Sequence, residues 1–144
     1  MWQNIKRTPE VLYHYTKKEN VEKIINDGTV KKFKDSACWF AESLEDTLKI
    51  MKHTVMNEGA YYFNLYGRPE KYKKFNPDEY VILKVNPKYD NPSDWYIYLS
   101  ERGVFNNNYK MSEDCFIVYC KIKMYKVASV KCTKLQVQNV QSCK

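Results

Sequence analysis

An α+β domain with a mostly antiparallel sheet and two N-terminal helices is the fold class this chain of 144 residues predicts. Three observations carry it. The helical patterns come early, in the order β-α-β-α. The β-prone runs come late, several of them in succession. Tight turns separate the late runs, which leaves no room for the crossover helices of a doubly wound parallel sheet.

Each element has a local reason. Val11 to Tyr15 alternates and is β-prone, so a strand is expected. Asn20 to Gly28 reads as a helix, with Val21, Ile24 and Ile25 at i, i+3 and i+4 on one face. Gly28 is a natural helix terminator, because it takes the left-handed conformation cheaply. Thr29-Val30 starts a short extended piece, and Ala37 to Ala41 is a compact apolar strand. Ser43 is a good N-cap for a second helix, with Glu45 and Asp46 in its first turn where negative charge suits the dipole. Leu44, Thr47, Leu48 and Met51 form its inner face, and it is expected to end near Met56 to Gly59.

Later elements follow the same logic. Tyr61 to Pro77 is aromatic and basic with weak periodicity, and reads as irregular, a flap or short strands. Tyr80 to Val85 is the strongest strand. Pro87 and Pro92 bracket a turn before a strand at Trp95 to Leu99. Ser100 to Ser112 is a polar loop. Cys115 to Val130 is a long β-prone stretch, with a break or bend expected near Lys123 to Lys126. The tail from Lys134 onward is polar and is expected to fray.

The totals bound the class. The length suits one domain, 1–144, and the aromatic content, including 13 tyrosines, supports a real core. The net charge of +7 attracts phosphate-bearing partners, although a lysine-rich solvated surface gives the same sign. Five cysteines without a CxxC pair argue against a zinc site and for reduced thiols, so a cytoplasmic protein is expected. No apolar signal core or run of ~18 apolar residues is present, so no membrane partner is expected.

The chain holds only two histidines, and one lies within Leu12-Tyr13-His14-Tyr15-Thr16. A neutral imidazole offers one donor and one acceptor, suited to a ribose or an amide. Trp39 in Trp39-Phe40-Ala41-Glu42-Ser43 offers a face for a flat ring. On spacing alone, a structural histidine and a core tryptophan remain open readings.

Taken in order, the His14 block, the helix closed by Gly28 and the Trp39 to Ser43 block resemble the ADP-ribosyltransferase fold, in its poly-ADP-ribose-polymerase-like and DarT-like branches. The resemblance covers roughly residues 10–55 and implies a split β-sheet. It implies NAD as co-substrate and no metal. His14 would bind the adenosine ribose and Tyr15 would present its backbone to the nicotinamide amide. Trp39 would stack on the nicotinamide, with Phe40 in the same motif and Thr16 and Ser43 as polar support. The family also places a carboxylate at a late strand. Glu113, Asp94 and Glu101 are the candidates, and each alone is equally a solvated surface group.

The activity so implied is transfer of ADP-ribose to a protein or nucleic-acid acceptor, in the manner of a toxin-like effector. A catalytically inactive module of the same fold, binding nucleotide or nucleic acid, is the alternative, and a plain interaction protein is a third. The stretch Tyr61 to Lys74 interleaves aromatics with lysines and can stack bases while neutralising phosphates. A solvated loop with its tyrosines tucked onto the core is the competing reading.

Overall fold

The computed structural model describes residues 3–31, 37–64, 66–100 and 122–140. Its elements, in chain order, are β1 (Gln3–Asn4), β2 (Leu12–Lys17), α1 (Val21–Asp27), β3 (Thr29–Lys31), β4 (Cys38–Phe40), α2 (Leu44–His53), β5 (Tyr61–Phe63), β6 (Pro69–Lys71), β7 (Tyr80–Pro87), β8 (Tyr96–Ser100), β9 (Ile122–Val127) and β10 (Ser129–Asn139). The fold is α+β, and among the described residues every strand pairing is antiparallel.

Two four-stranded sheets form the body, in the orders β1-β8-β9-β4 and β2-β7-β10-β3. Among the described residues, their backbones are joined where Tyr13 and Ala41 exchange hydrogen bonds of 2.7 and 2.9 Å. The main core lies between them. Leu12, Val81, Leu83, Val85, Val30 and Val130 come from one sheet, and Cys38, Phe40, Tyr125 and Val127 from the other, with Trp95 beside β8. A second cluster of Met51, Ile82 and Val140 covers the far face of β7, under α2. β7 is therefore apolar on both faces, which is why Val81, Ile82 and Leu83 are buried in succession instead of alternating.

Local chemistry explains both helices. Gly28 closes α1 at φ 62°, and its N–H bonds the carbonyls of Ile24 and Ile25. A side chain there meets no neighbour but must adopt a left-handed backbone. Gly28→Ala is therefore expected to lower stability by about 1 kcal/mol, read from urea melts. Ser43 caps α2, its hydroxyl accepting from the Asp46 N–H at 3.0 Å. The helix stops at His53, and Thr54 returns its N–H to the Met51 carbonyl.

Several expectations need correction. Ile25 is 52% exposed, so only Val21 and Ile24 of the predicted α1 face reach the core. No break occurs near Lys123 to Lys126, since β9 runs unbroken to Val127 and the chain turns at Ala128. Residues 134–139 of the polar tail are not frayed, and residues 141–144 lie outside the described residues. The stretch 134–139 continues β10 along β7, after a register shift between Cys132 and Lys134. Its polar side chains stand on the outer face, and ladder hydrogen bonds to the most apolar strand hold the backbone.

Candidate functional site

The two sheets part beyond the Tyr13–Ala41 pair, and His14 stands where they separate. In β2, Leu12, His14 and Thr16 share the face toward the main core, opposite Val85, Leu83 and Val81 of β7. In place of a further backbone pair, the His14 Nδ1–H donates to the Trp39 carbonyl at 2.7 Å. A carbonyl can only accept, so this bond fixes the tautomer and makes Nε2 the acceptor nitrogen. The ring packs at 5.1 Å from Phe40, which itself meets Trp95 edge-on at 5.7 Å.

The opening beside His14 is a cleft of about 310 Å³. His14 and Thr16 of β2, Asn20 before α1, Lys23 and Asp27 of α1, and Trp39 of β4 supply its polar and aromatic walls. Asn20 Nδ2 donates to Thr16 Oγ1 at 3.4 Å, and Lys31 lies 4.0 Å from Asp27. Asn20, Lys23 and Asp27 are spaced i, i+3 and i+7, which puts them on one side of the helical turn. That spacing is legible in the sequence as the polar side of the turn that carries Val21 and Ile24 on its apolar side.

His14, Thr16 and Trp39 are thus brought together as expected. Tyr15 is placed differently from them. Its side chain leans to the α2 side, the hydroxyl lying 3.1 Å from Thr54 Oγ1. Tyr13 directs its N–H and C=O at β4, so the strand's alternation aims the Tyr15 backbone groups toward the same edge. Phe40 is fully in the core, and Ser43 is committed to capping α2. Neither lines the cleft, because Phe40 points inward on an alternating strand and the Ser43 hydroxyl satisfies an orphan helix N–H.

Of the candidate carboxylates, Glu113 and Glu101 lie outside the described residues. Asp94 ends a 3₁₀ turn, Pro92–Asp94, and lines a second depression with Tyr96 and Lys126. Ala37 borders both hollows. Tyr96, Lys126 and Trp39 stand in register across β8, β9 and β4. The Lys126 ammonium sits 5.7 Å from the Tyr96 ring and 5.8 Å from the Trp39 ring.

A carboxylate that sequence reasoning passed over is Glu42. It accepts hydrogen bonds from Arg7 and from the Tyr125 hydroxyl, and its other oxygen lies 3.8 Å from Lys123. Burial, then the Glu42 carboxylate, pushes the Tyr125 phenol well above its usual range. Its partners are far apart in the chain, so no local pattern announced it. Among the described residues, no three His, Cys, Asp or Glu side chains are grouped to hold a metal. Among the same residues, no helix is long and apolar enough to cross a membrane.

Burial lowers the His14 pKa below 6.5, and the bond to the Trp39 carbonyl only partly offsets it. The ring is therefore neutral at physiological pH. The sign of the linkage follows: below about pH 6.5 the unfolded chain binds a proton that the folded chain resists. Stability is full above that value and falls as pH drops toward the lowered folded pKa. Urea melts at about pH 7.5 and about pH 5.5 should show a loss that is smaller in His14→Gln.

No protein-family model matches the chain, and no curated protein is significantly similar to it. Function is accordingly read from the geometry and chemistry of the cleft.

Proposed function

We propose that this chain is an NAD-dependent ADP-ribosyltransferase with an ADP-ribosyltransferase-like split sheet. The observation that carries the proposal is the His14 imidazole, held by its Nδ1–H on the Trp39 carbonyl where β2 and β4 part. That bond leaves the acceptor nitrogen for a ribose hydroxyl in the cleft. The cleft volume suits a nucleoside-sized group, at the low end of the ~300–1,000 Å³ of ligand pockets. Lys23 supplies a cation beside it for a diphosphate, the remainder of the dinucleotide extending past Trp39.

In this reading Tyr15 offers backbone groups to the nicotinamide amide, and Trp39 offers its ring. The bond from the ribose anomeric carbon to the nicotinamide nitrogen breaks, and nicotinamide leaves with the electron pair. A carboxylate stabilises the cationic ribose that results. Asp94 stands in the hollow adjoining the cleft, and Glu113 and Glu101 are the other candidates. A nucleophile of a protein or nucleic-acid acceptor then attacks the opposite face and gives up its proton.

The test is incubation of the protein with adenylate-labelled NAD and cell extract, following both label transfer and nicotinamide release. Macromolecular labelling with matching nicotinamide release is the expected result. Release without labelling would make the protein a glycohydrolase. Absence of both would leave a module that binds nucleotide without turning it over.

A further inference from the structure

Of the forms open to the segment Tyr61 to Pro77, the short strands are the ones present, and they form an arm. Strands β5 and β6 pair as a hairpin, with Tyr61 opposite Lys71 and Phe63 opposite Pro69. Asn64 staples the turn: its side-chain oxygen accepts from the N–H groups of Tyr66 and Arg68 at 2.9 and 3.0 Å. Gly67, at φ 72°, completes the reversal. The base of the hairpin is closed by bonds between Gly59, Ala60 and Tyr72.

The two faces of this arm differ. On one, Tyr62 stacks on Tyr72 at 4.4 Å, and burial, then the hydrogen bond that the Tyr62 phenol donates to the Glu70 carboxylate, raise the pKa of that phenol. The other presents Tyr61 and Phe63, which are 67% and 76% exposed, and Tyr66 at the turn is 84% exposed. Large rings are not left so open without a use when the backbone holding them is this well bonded. Lys71 lies 5.3 Å from the Tyr61 ring centre. Arg68, Lys73 and Lys74 are also exposed, so residues 61–74 carry four cations against the single carboxylate of Glu70.

We infer that this hairpin is a binding platform for single-stranded nucleic acid, with Tyr61 and Phe63 stacking bases and the surrounding cations meeting phosphates. Alternate residues of a strand are anchored about 7 Å apart. That is about twice the ~3.4 Å rise between stacked bases, so a base fits between the rings or one stacks on each. A duplex keeps its base faces covered and offers the rings nothing to stack on. The Glu70 carboxylate within the hairpin is engaged on the opposite face, with Tyr62. The platform needs no NAD and does not rest on the proposed transferase activity.

Fluorescence anisotropy with a labelled oligothymidine of about 15 nucleotides, and with a duplex of the same length, tests it on the intact chain without NAD. The single strand should bind more tightly than the duplex, with affinity falling as salt rises. Tyr61→Ala with Phe63→Ala should weaken binding by about tenfold or more per ring, while Tyr61→Phe retains it. Lys71→Gln with Lys73→Gln should flatten the salt dependence by about 1.4 units of slope for the pair. These side chains are exposed, and circular dichroism confirms that each variant is folded. Equal affinity for duplex and single strand overturns the inference. So does unchanged affinity in the double ring variant, or preferential capture of the arm by anionic lipid vesicles.

Discussion

His14→Ala is expected to reduce NAD-dependent label transfer by about 2- to 10-fold, the kinetic counterpart of losing a hydrogen bond of about 0.5–1.5 kcal/mol between neutral partners. The side chain stands at the mouth of the split between the sheets and lines the cleft, so the loss falls on substrate binding. The stabilisation of the melting temperature by NAD should shrink with it. The same change removes the donor to the Trp39 carbonyl, leaving that acceptor to find water or stay unpaired at a cost of about 1–3 kcal/mol. His14→Asn separates the two effects. A shorter amide can restore a bond to the carbonyl but cannot reach as far into the cleft. A folded His14→Asn protein that transfers ADP-ribose as well as wild type would remove His14 from the site.

Much of the path to this site was legible because its determinants are local. A capping serine, a terminating glycine and an apolar strand are each specified by neighbours within a few residues. Gly28 and Ser43 accordingly stand where the chain chemistry puts them. The histidine was also legible, being a rare residue in an apolar strand. Three features were not legible, for one shared reason. The Glu42 cluster joins Arg7, Lys123 and Tyr125, which meet only because β4 lies beside β9 and the N-terminal segment folds back over them. β10 reads as polar because its order comes from ladder bonds to β7, to which side-chain type contributes little. The β5-β6 hairpin has no apolar alternation because its exposed face is aromatic. Sequence periodicity reports burial, and these features depend on pairing instead.

The same reasoning explains why Trp39 and Phe40, adjacent in the motif, separate in role. Successive residues of a strand point to opposite faces. Trp39 turns outward beside Lys126, and Phe40 turns into the core. A motif read as a string assigns both to the ligand, whereas the pleat assigns only one. Glu42 and Ser43 then leave the strand and are consumed by structure, one accepting a hydrogen bond from the buried Tyr125 phenol and the other capping a helix.

Phe40→Ala is expected to lower stability by about 3–5 kcal/mol. The ring is 2% exposed and sits between the sheets, touching His14 on one side and Trp95 on the other. Truncation removes its transfer free energy and opens a void. Strands pinned at the Tyr13–Ala41 pair can collapse only partly into that void. The change is large against the 5–15 kcal/mol that holds a typical domain folded. Phe40→Leu should recover more than half of it, since most of the apolar volume returns. The two variants also separate packing from chemistry. Phe40→Leu should keep the His14 bond to Trp39 and with it the NAD-dependent activity, whereas Phe40→Ala should lose activity as the imidazole loses its backing. Equilibrium urea melts paired with nicotinamide-release assays measure both. A Phe40→Ala protein as stable as wild type would show that the sheets do not pack through this ring.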